Sequence, residues 1–245
     1  MKNGFTLAEV LITLGIIGVV AAITMPSLIT NIQDKHFKAM WKKNFALLEN
    51  ALLGVKQDNP GITICENFKT NSKEFIDAFL AHLDIVDTCG SNGYDDIFCN
   101  ETKHKWMQPW FKDLSGKYIV GAQSVRHALL KNGARIFFIG DGHTSLVSIG
   151  IDVNNIKGPN KLGRDIFVVG VYDKKINNSV NEKSNLENIV LIPWGSPNGY
   201  CGKNGGKYTS CKGIEGCSPD IGLKSNYPSF PDAPGAGCAY SALYE

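Results

Sequence analysis

The chain has 245 residues, with 25 Lys and Arg against 23 Asp and Glu, a formal net charge of +2. That balance, without a long basic run interleaved with aromatics, excludes the electrostatic footprint of a nucleic-acid binder, and the length allows one or two modest domains with a core. Seven cysteines, Cys65, Cys89, Cys99, Cys201, Cys211, Cys217 and Cys238, form no C-x-x-C pair and match no common zinc spacing, so they predict disulfides in an oxidising compartment.

The first element opens with a polar leader, Met1-Lys2-Asn3-Gly4, and then runs apolar from Phe5 to Ile32 with Glu9 as its sole charge. As a helix, Phe5 to Met25 spans roughly 32 Å, about the thickness of a hydrocarbon core. A secretory signal would carry a shorter apolar region and a cleavage site after it. A carboxylate inside the run costs on the order of 2.5–3.5 kcal/mol on insertion scales, and a plain anchor tolerates it only by snorkelling. A buried soluble helix rarely stays apolar on every face for so long. An intramembrane acid is a functional residue by default.

Gly4-Phe5-Thr6-Leu7-Ala8-Glu9 resembles the prepilin signature of type IV pilins and of type II secretion pseudopilins. The resemblance covers residues 1–30. It implies cleavage between Gly4 and Phe5 by a membrane-embedded prepilin peptidase, N-methylation of Phe5 and a role for Glu9 in assembly. Cleavage would create an α-ammonium in apolar surroundings, and a buried charge stripped of its partner costs about 3–5 kcal/mol. Glu9 can supply that partner to its own chain or to the neighbouring subunit's Phe5, which makes it a register device for stacking helices. Lys35, Lys38, Lys42 and Lys43 follow the span, whereas Lys2 and the α-amine precede it. Counting positive charge alone puts the N-terminus outside. The cysteines and the leader put it in the cytoplasm.

Pro26 sits 21 residues beyond Phe5 and should kink or loosen the helix; pilins resemble this arrangement. Leu28, Ile32, Met40, Trp41, Phe45, Leu48, Leu52 and Val55 recur at helical spacing beyond it, and Asn59-Pro60-Gly61 is a stop. Phe5 to Asp58 is therefore expected as one helix of roughly 80 Å, apolar all round in its first half and amphipathic in its second.

A second helix is predicted from Ser72, its candidate N-cap, to Leu83. Strands are predicted at Lys117–Val120, Ala134–Ile139, Ser145–Asp152, Asp165–Tyr172 and Asn188–Ile192, with Gly140-Asp141-Gly142-His143 as a hairpin loop. Short connections favour an antiparallel sheet. The fold class is α+β: a long N-terminal helix, its first half transmembrane, packed on an antiparallel sheet head as in the pilin roll. The tail from Pro193 holds six of ten prolines, ten of 26 glycines and four of seven cysteines, so it is expected to be irregular, without an apolar core, and stapled by disulfides. Candidates are Cys89–Cys99 and pairs among Cys201, Cys211, Cys217 and Cys238, leaving Cys65 over.

Asp152, Asn154 and Asp165 are oxygen-bearing side chains between two strands. They are ordinary turn formers, and the pseudopilin resemblance offers calcium as the alternative, although the spacing is not an EF-hand. The same stretch resembles the D-V-N-G…G-P-N…G-x-D-x-F segment of many pilin-like heads, with Asn155 where glycine is usual. That departure weakens any claim about a special backbone angle there. His143 near Asp141 could form a dyad, but no nucleophile elbow, phosphate loop or H-E-x-x-H pattern is present, so no enzyme and no required cofactor are expected. Trp106, Trp110 and Phe111 read as packing residues.

The layout expected is leader 1–4, transmembrane and assembly helix 5–30, amphipathic helix 31–59, α+β head 60–192 and Cys/Gly/Pro-rich region 193–245. The resemblance implies a structural subunit of a type IV pilus or pseudopilus in the bacterial inner membrane, head outside. Its partners would be other pilin or pseudopilin subunits, prepilin peptidase and the membrane. The alternative is a membrane-anchored extracytoplasmic domain that binds a ligand or catalyses a reaction without polymerising.

Overall fold

Fifty-two residues, Leu7–Asp58, form one α-helix, α1, that passes through Pro26 without interruption. The computed structural model describes residues 6–58, 63–64, 72–89, 112–114, 116, 124–139, 147–155, 157–173, 184–185, 189–194 and 238–244. Several sequence expectations fall outside them: Gly4 and Phe5, the Asn59-Pro60-Gly61 stop, Cys65, Cys99, Cys201, Cys211 and Cys217, the 117–120 strand, the 140–143 loop with its Asp141–His143 dyad, and the 106–111 aromatics.

The two halves of α1 meet different surroundings. Up to Ile32 its apolar side chains lie exposed, from Leu7 at 80% to Ile23 at 72%. From Phe37 onward a stripe of Phe37, Trp41, Asn44, Phe45, Leu48, Ala51, Leu52 and Val55 is buried, at the spacing that puts every third or fourth residue on one face. The short helix Ser72–Ala81, α2, packs beside it through Phe75, Ile76, Phe79 and Leu80. It ends two residues before the predicted Leu83.

Beneath both helices lies a six-stranded antiparallel sheet. Its strands in chain order are β2 (Ile85–Cys89), β3 (Ser124–Leu130), β4 (Arg135–Ile139), β5 (Val147–Asp152), β6 (Ile166–Asp173) and β8 (Ile189–Pro193), and their spatial order is the same. A separate two-stranded ribbon joins β1 (Thr63–Ile64) to β7 (Ser184–Asn185). Four strands coincide with the sequence reading to within two residues. β1, β2, β3 and β7 are additional.

Register explains the core. Ile136, Ile151 and Phe167 stand in one row across β4, β5 and β6, and Phe138, Ile149 and Val169 in the next, all facing the helices. Trp41 stacks on Phe167 with ring centroids 5.0 Å apart, and Phe79 meets Phe138 edge-on at 6.1 Å. On the opposite face Phe137 lies across from Gly150, where an added Cβ would come within 2.1 Å of the phenyl ring. Glycine is what lets that ring lie flat on its neighbour strand.

Polar contacts fix the helix on the sheet. The β3–β4 turn contains Asn132-Gly133, with Gly133 at φ 88, a left-handed angle that glycine adopts without strain. Asn132 donates to the buried Asn44 side chain at 2.8 Å and accepts from the Ala134 amide at 2.9 Å, joining the turn to α1. Arg126 pairs with Asp77 between β3 and α2. His82 lies 3.3 Å from Asp58 at the far end of α1.

The tail corrects one expectation. Cys238–Tyr244 is a helix, α3, and its Ala239 and Ala242 are part of the apolar core. The Trp41 indole donates to the Ala239 carbonyl at 2.8 Å. A composition poor in large apolar residues still contributes to the core here, because small side chains let α3 lie close against α1. Cys238 is disulfide-bonded.

Candidate functional site

The residues singled out by sequence fall in two places: the exposed first half of α1 and the loop between β5 and β6. At the start of α1, the Glu9 carboxylate accepts from the Thr6 amide and the Thr6 hydroxyl, both at 2.8 Å, while the Glu9 amide donates to the Thr6 hydroxyl at 3.3 Å. This is a capping box, two otherwise orphaned amides satisfied reciprocally. Thr6 went unremarked in the sequence reading, although T-x-x-E ahead of an apolar run is its signature. Glu9 thus holds the amide next in the chain after Phe5.

Beyond Glu9, every hydroxyl of the apolar half bonds back to the preceding turn. Thr13 donates to Val10, Thr24 to Val20, Ser27 to Thr24 and Thr30 to Pro26, each at 2.9 Å. Pro26 removes one amide from the ladder, and three of these hydroxyls cluster around it. Polar side chains whose donors are met inside the helix suit surroundings without water. α1 is long and apolar enough to cross a membrane, and its apolar window has no buried part.

The loop from Val153 to Asp165 closes on itself through the Val153 amide and the Asp165 carbonyl, 2.9 Å apart. Asp165 is fully buried, and its two carboxylate oxygens accept from the amides of Asn160 and Lys161 at 2.8 and 2.7 Å. Asp152, at the end of β5, accepts from the Asn154 amide at 3.2 Å, and Asn154 holds the carbonyls of Lys157 and Gly158. Burial and the nearby charge of Asp165 push the Asp152 carboxyl up to about 8, against Asn154 and Arg135. Burial raises Asp165 too, with backbone amides pulling the other way. Those amides make Asp165 the better anion of the pair, and Asp152 the one that keeps its proton.

Asn155 has φ 60 and Asn160 φ 53, so the left-handed angle persists without glycine. Asparagine tolerates that region, so the departure from glycine at Asn155 leaves the angle in place. The Asn155 side-chain oxygen Oδ1 accepts from Arg135 Nε at 2.8 Å, a bond glycine could not make. Asp152, Asn154 and Asp165 do come together, but three of their four carboxylate oxygens already accept backbone amides. The bonding seen among them is that of a hydrogen-bonded loop anchor. Among the described residues no three His, Cys, Asp or Glu side chains gather as a metal site. At the rim of this loop Arg164 reaches Asp34 of α1 at 2.6 Å. Among the cysteine candidates, Cys89 ends β2 opposite His127 and Cys238 opens α3.

Compared with known families, residues 1–25 match the model of the prokaryotic N-terminal methylation motif. That motif is the hallmark of type IV prepilin-like proteins, so this chain carries the prepilin signature at its N-terminus. No curated protein and no solved structure matches it. Together the motif and the exposed apolar helix point to a membrane-anchored protein.

Proposed function

We propose that the chain is a structural subunit of a type IV pilus or a type II secretion pseudopilus. Prepilin peptidase cuts it between Gly4 and Phe5 and methylates Phe5, and the subunit then assembles with others through α1. Residues 1–4 are the leader, 5–30 span the inner membrane and later line the filament, and 31–59 fasten the head. The observation that supports this best is the division of α1: apolar side chains left bare up to Ile32, then an amphipathic stripe seated on the head. A helix bare for half its length has a second environment to fill, first lipid and then neighbouring helices.

Glu9 has two possible duties, and they separate by experiment. As a cap it needs only an acceptor oxygen, which glutamine also offers. As the partner of a methylated α-ammonium it needs a charge, since an unpaired ion in apolar surroundings is costly. Mass spectrometry of the mature protein should find a methylated Phe5 at the N-terminus; a chain starting at Met1 or cut near Ala22 overturns the reading. Glu9→Gln should keep processing and folding and lose assembly. A filament or secretion assay unchanged by Glu9→Gln supports instead a tethered domain that does not polymerise.

A further inference from the structure

We propose that the exposed face of α1 just past its apolar half is a docking surface for the anionic headgroups of the leaflet on the head's side. This rests on the membrane-spanning reading of α1. Lys35, Lys38, Lys42 and Lys43 are all exposed. At 3.6 residues per turn Lys35, Lys42 and Lys43 lie on the side of the helix away from the Phe37, Trp41 and Leu48 stripe that grips the head, and Lys38 stands at the margin of that stripe. Among the described residues their ion-pairing opportunities along α1 are few: Asp34, the single acid between Glu9 and Glu49 of α1, is taken by Arg164. The chain as a whole is nearly neutral, so this belt is a local excess and not a reflection of composition.

Position decides the partner. Lys35 stands three residues beyond Ile32, about 4.5 Å along the axis, and Lys43 about 16 Å. The headgroup layer is roughly 5–7 Å thick on each side of the core, and screened attraction extends about 8 Å further at physiological salt. Side chains on a helix lean toward its N-terminus, so these lysines lean back toward the apolar half. The apolar run from Leu7 to Ile32 is about 39 Å long against a core of about 30 Å, so tilt draws the belt down onto the surface and not away from it. Asp34, one turn below Phe37, receives Arg164 from the head, which sets the rim of the β5–β6 loop at the same level. A basic segment at this depth is worth roughly fivefold per lysine toward an anionic surface. The belt lies on the head's side of the span, and so accounts for lysines that a topology count alone leaves misplaced.

The test uses the full chain reconstituted in phosphatidylcholine bilayers with trace spin-labelled phosphatidylglycerol or spin-labelled phosphatidylcholine, comparing their association at the protein surface by electron paramagnetic resonance. The native chain should prefer the anionic lipid at least about fivefold at low salt. The preference should fall toward parity at about 0.5 M salt, where the screening length is near 4 Å. Lys35→Gln, Lys38→Gln, Lys42→Gln and Lys43→Gln combined should abolish it, and the four arginine replacements should keep it. Parity in the native chain at low salt, or a preference that survives the glutamine variant, overturns the proposal. So does parity accompanied by salt-sensitive self-association, which would assign the belt to an acidic face of a second copy. Resistance of the reconstituted chain to alkaline extraction is read separately: a chain that washes off refutes the span and this inference with it, whereas a retained chain at parity refutes this inference alone.

Discussion

Asp152→Asn is the substitution whose effect depends most on pH. Asp152 is 4% exposed, lies opposite Arg135 on the neighbouring strand and shares its surroundings with Asp165. Its carboxyl is raised from 3.8 to about 8, chiefly by burial. Between those values the folded chain holds a proton that the unfolded chain has released, so stability falls as pH rises. One full proton corresponds to about 1.4 kcal/mol per pH unit, or at most about 4 kcal/mol between pH 5 and pH 8. The loss is complete only above the folded value. Asparagine keeps the oxygen that accepts the Asn154 amide and removes the titration. Chemical denaturation of the full chain in detergent, followed at several pH values, should therefore show a flatter profile for the variant, and subtracting the two profiles cancels histidines elsewhere. The variant should gain on the native chain steadily from pH 5 to pH 8. Parallel profiles would refute the assignment of the buried proton to Asp152.

Two further outcomes follow from packing. Trp41→Ala removes a fully buried ring stacked on Phe167 and the donor to the Ala239 carbonyl, so it should cost about 3–5 kcal/mol and lower Tm clearly, with Trp41→Phe intermediate. Gly150→Ala drives a methyl into the Phe137 ring, which should cost about 1–3 kcal/mol; a Tm equal to that of the native chain would mean the strands are not paired in this register.

How much of the fold was legible depended on how far local pattern agreed with tertiary setting. α1 announced itself because both its halves keep helical character, one by length of apolar run and one by periodicity. β4, β5 and β6 were legible as apolar runs, since these central strands are buried on both faces, as Phe137 and Val168 show, and β8 was legible from its run at 189–192 although it lies at the sheet's edge. β3 was not, because Ser124-Val125-Arg126-His127-Ala128-Leu129-Leu130 alternates poorly: Arg126 is spent on Asp77, and His127 is buried beside Phe137. Its signal was the Asn132-Gly133 turn that closes it onto β4. β2 is an edge strand with Val86 exposed, so half its pattern is missing. α3 has no sequence signal at all. Ala239 and Ala242 are ordinary small residues until α1 lies over them and Trp41 donates to the Ala239 carbonyl.

The candidate sites divide along the same line. The acid at position 9 is visible in sequence because a charge in an apolar run violates the pattern around it, and its capping partner was visible in T-x-x-E. What the loop carboxylates do was not visible, since Asp165 acts on amides four and five residues back, and only the closed loop brings them to its oxygens. The two acids therefore illustrate opposite physics. Asp165 is spent on two amides, one at each carboxylate oxygen. Glu9 also satisfies an amide, but in an exposed apolar helix where no cation among the described residues offsets its charge. Local bonding answers the geometry of Glu9 and leaves its electrostatics open, because a hydrogen bond to a neutral amide compensates a buried ion less than an opposite charge does. That residual demand for a cation is the physical ground for expecting a neighbouring N-terminus beside Glu9 once the helices are brought together.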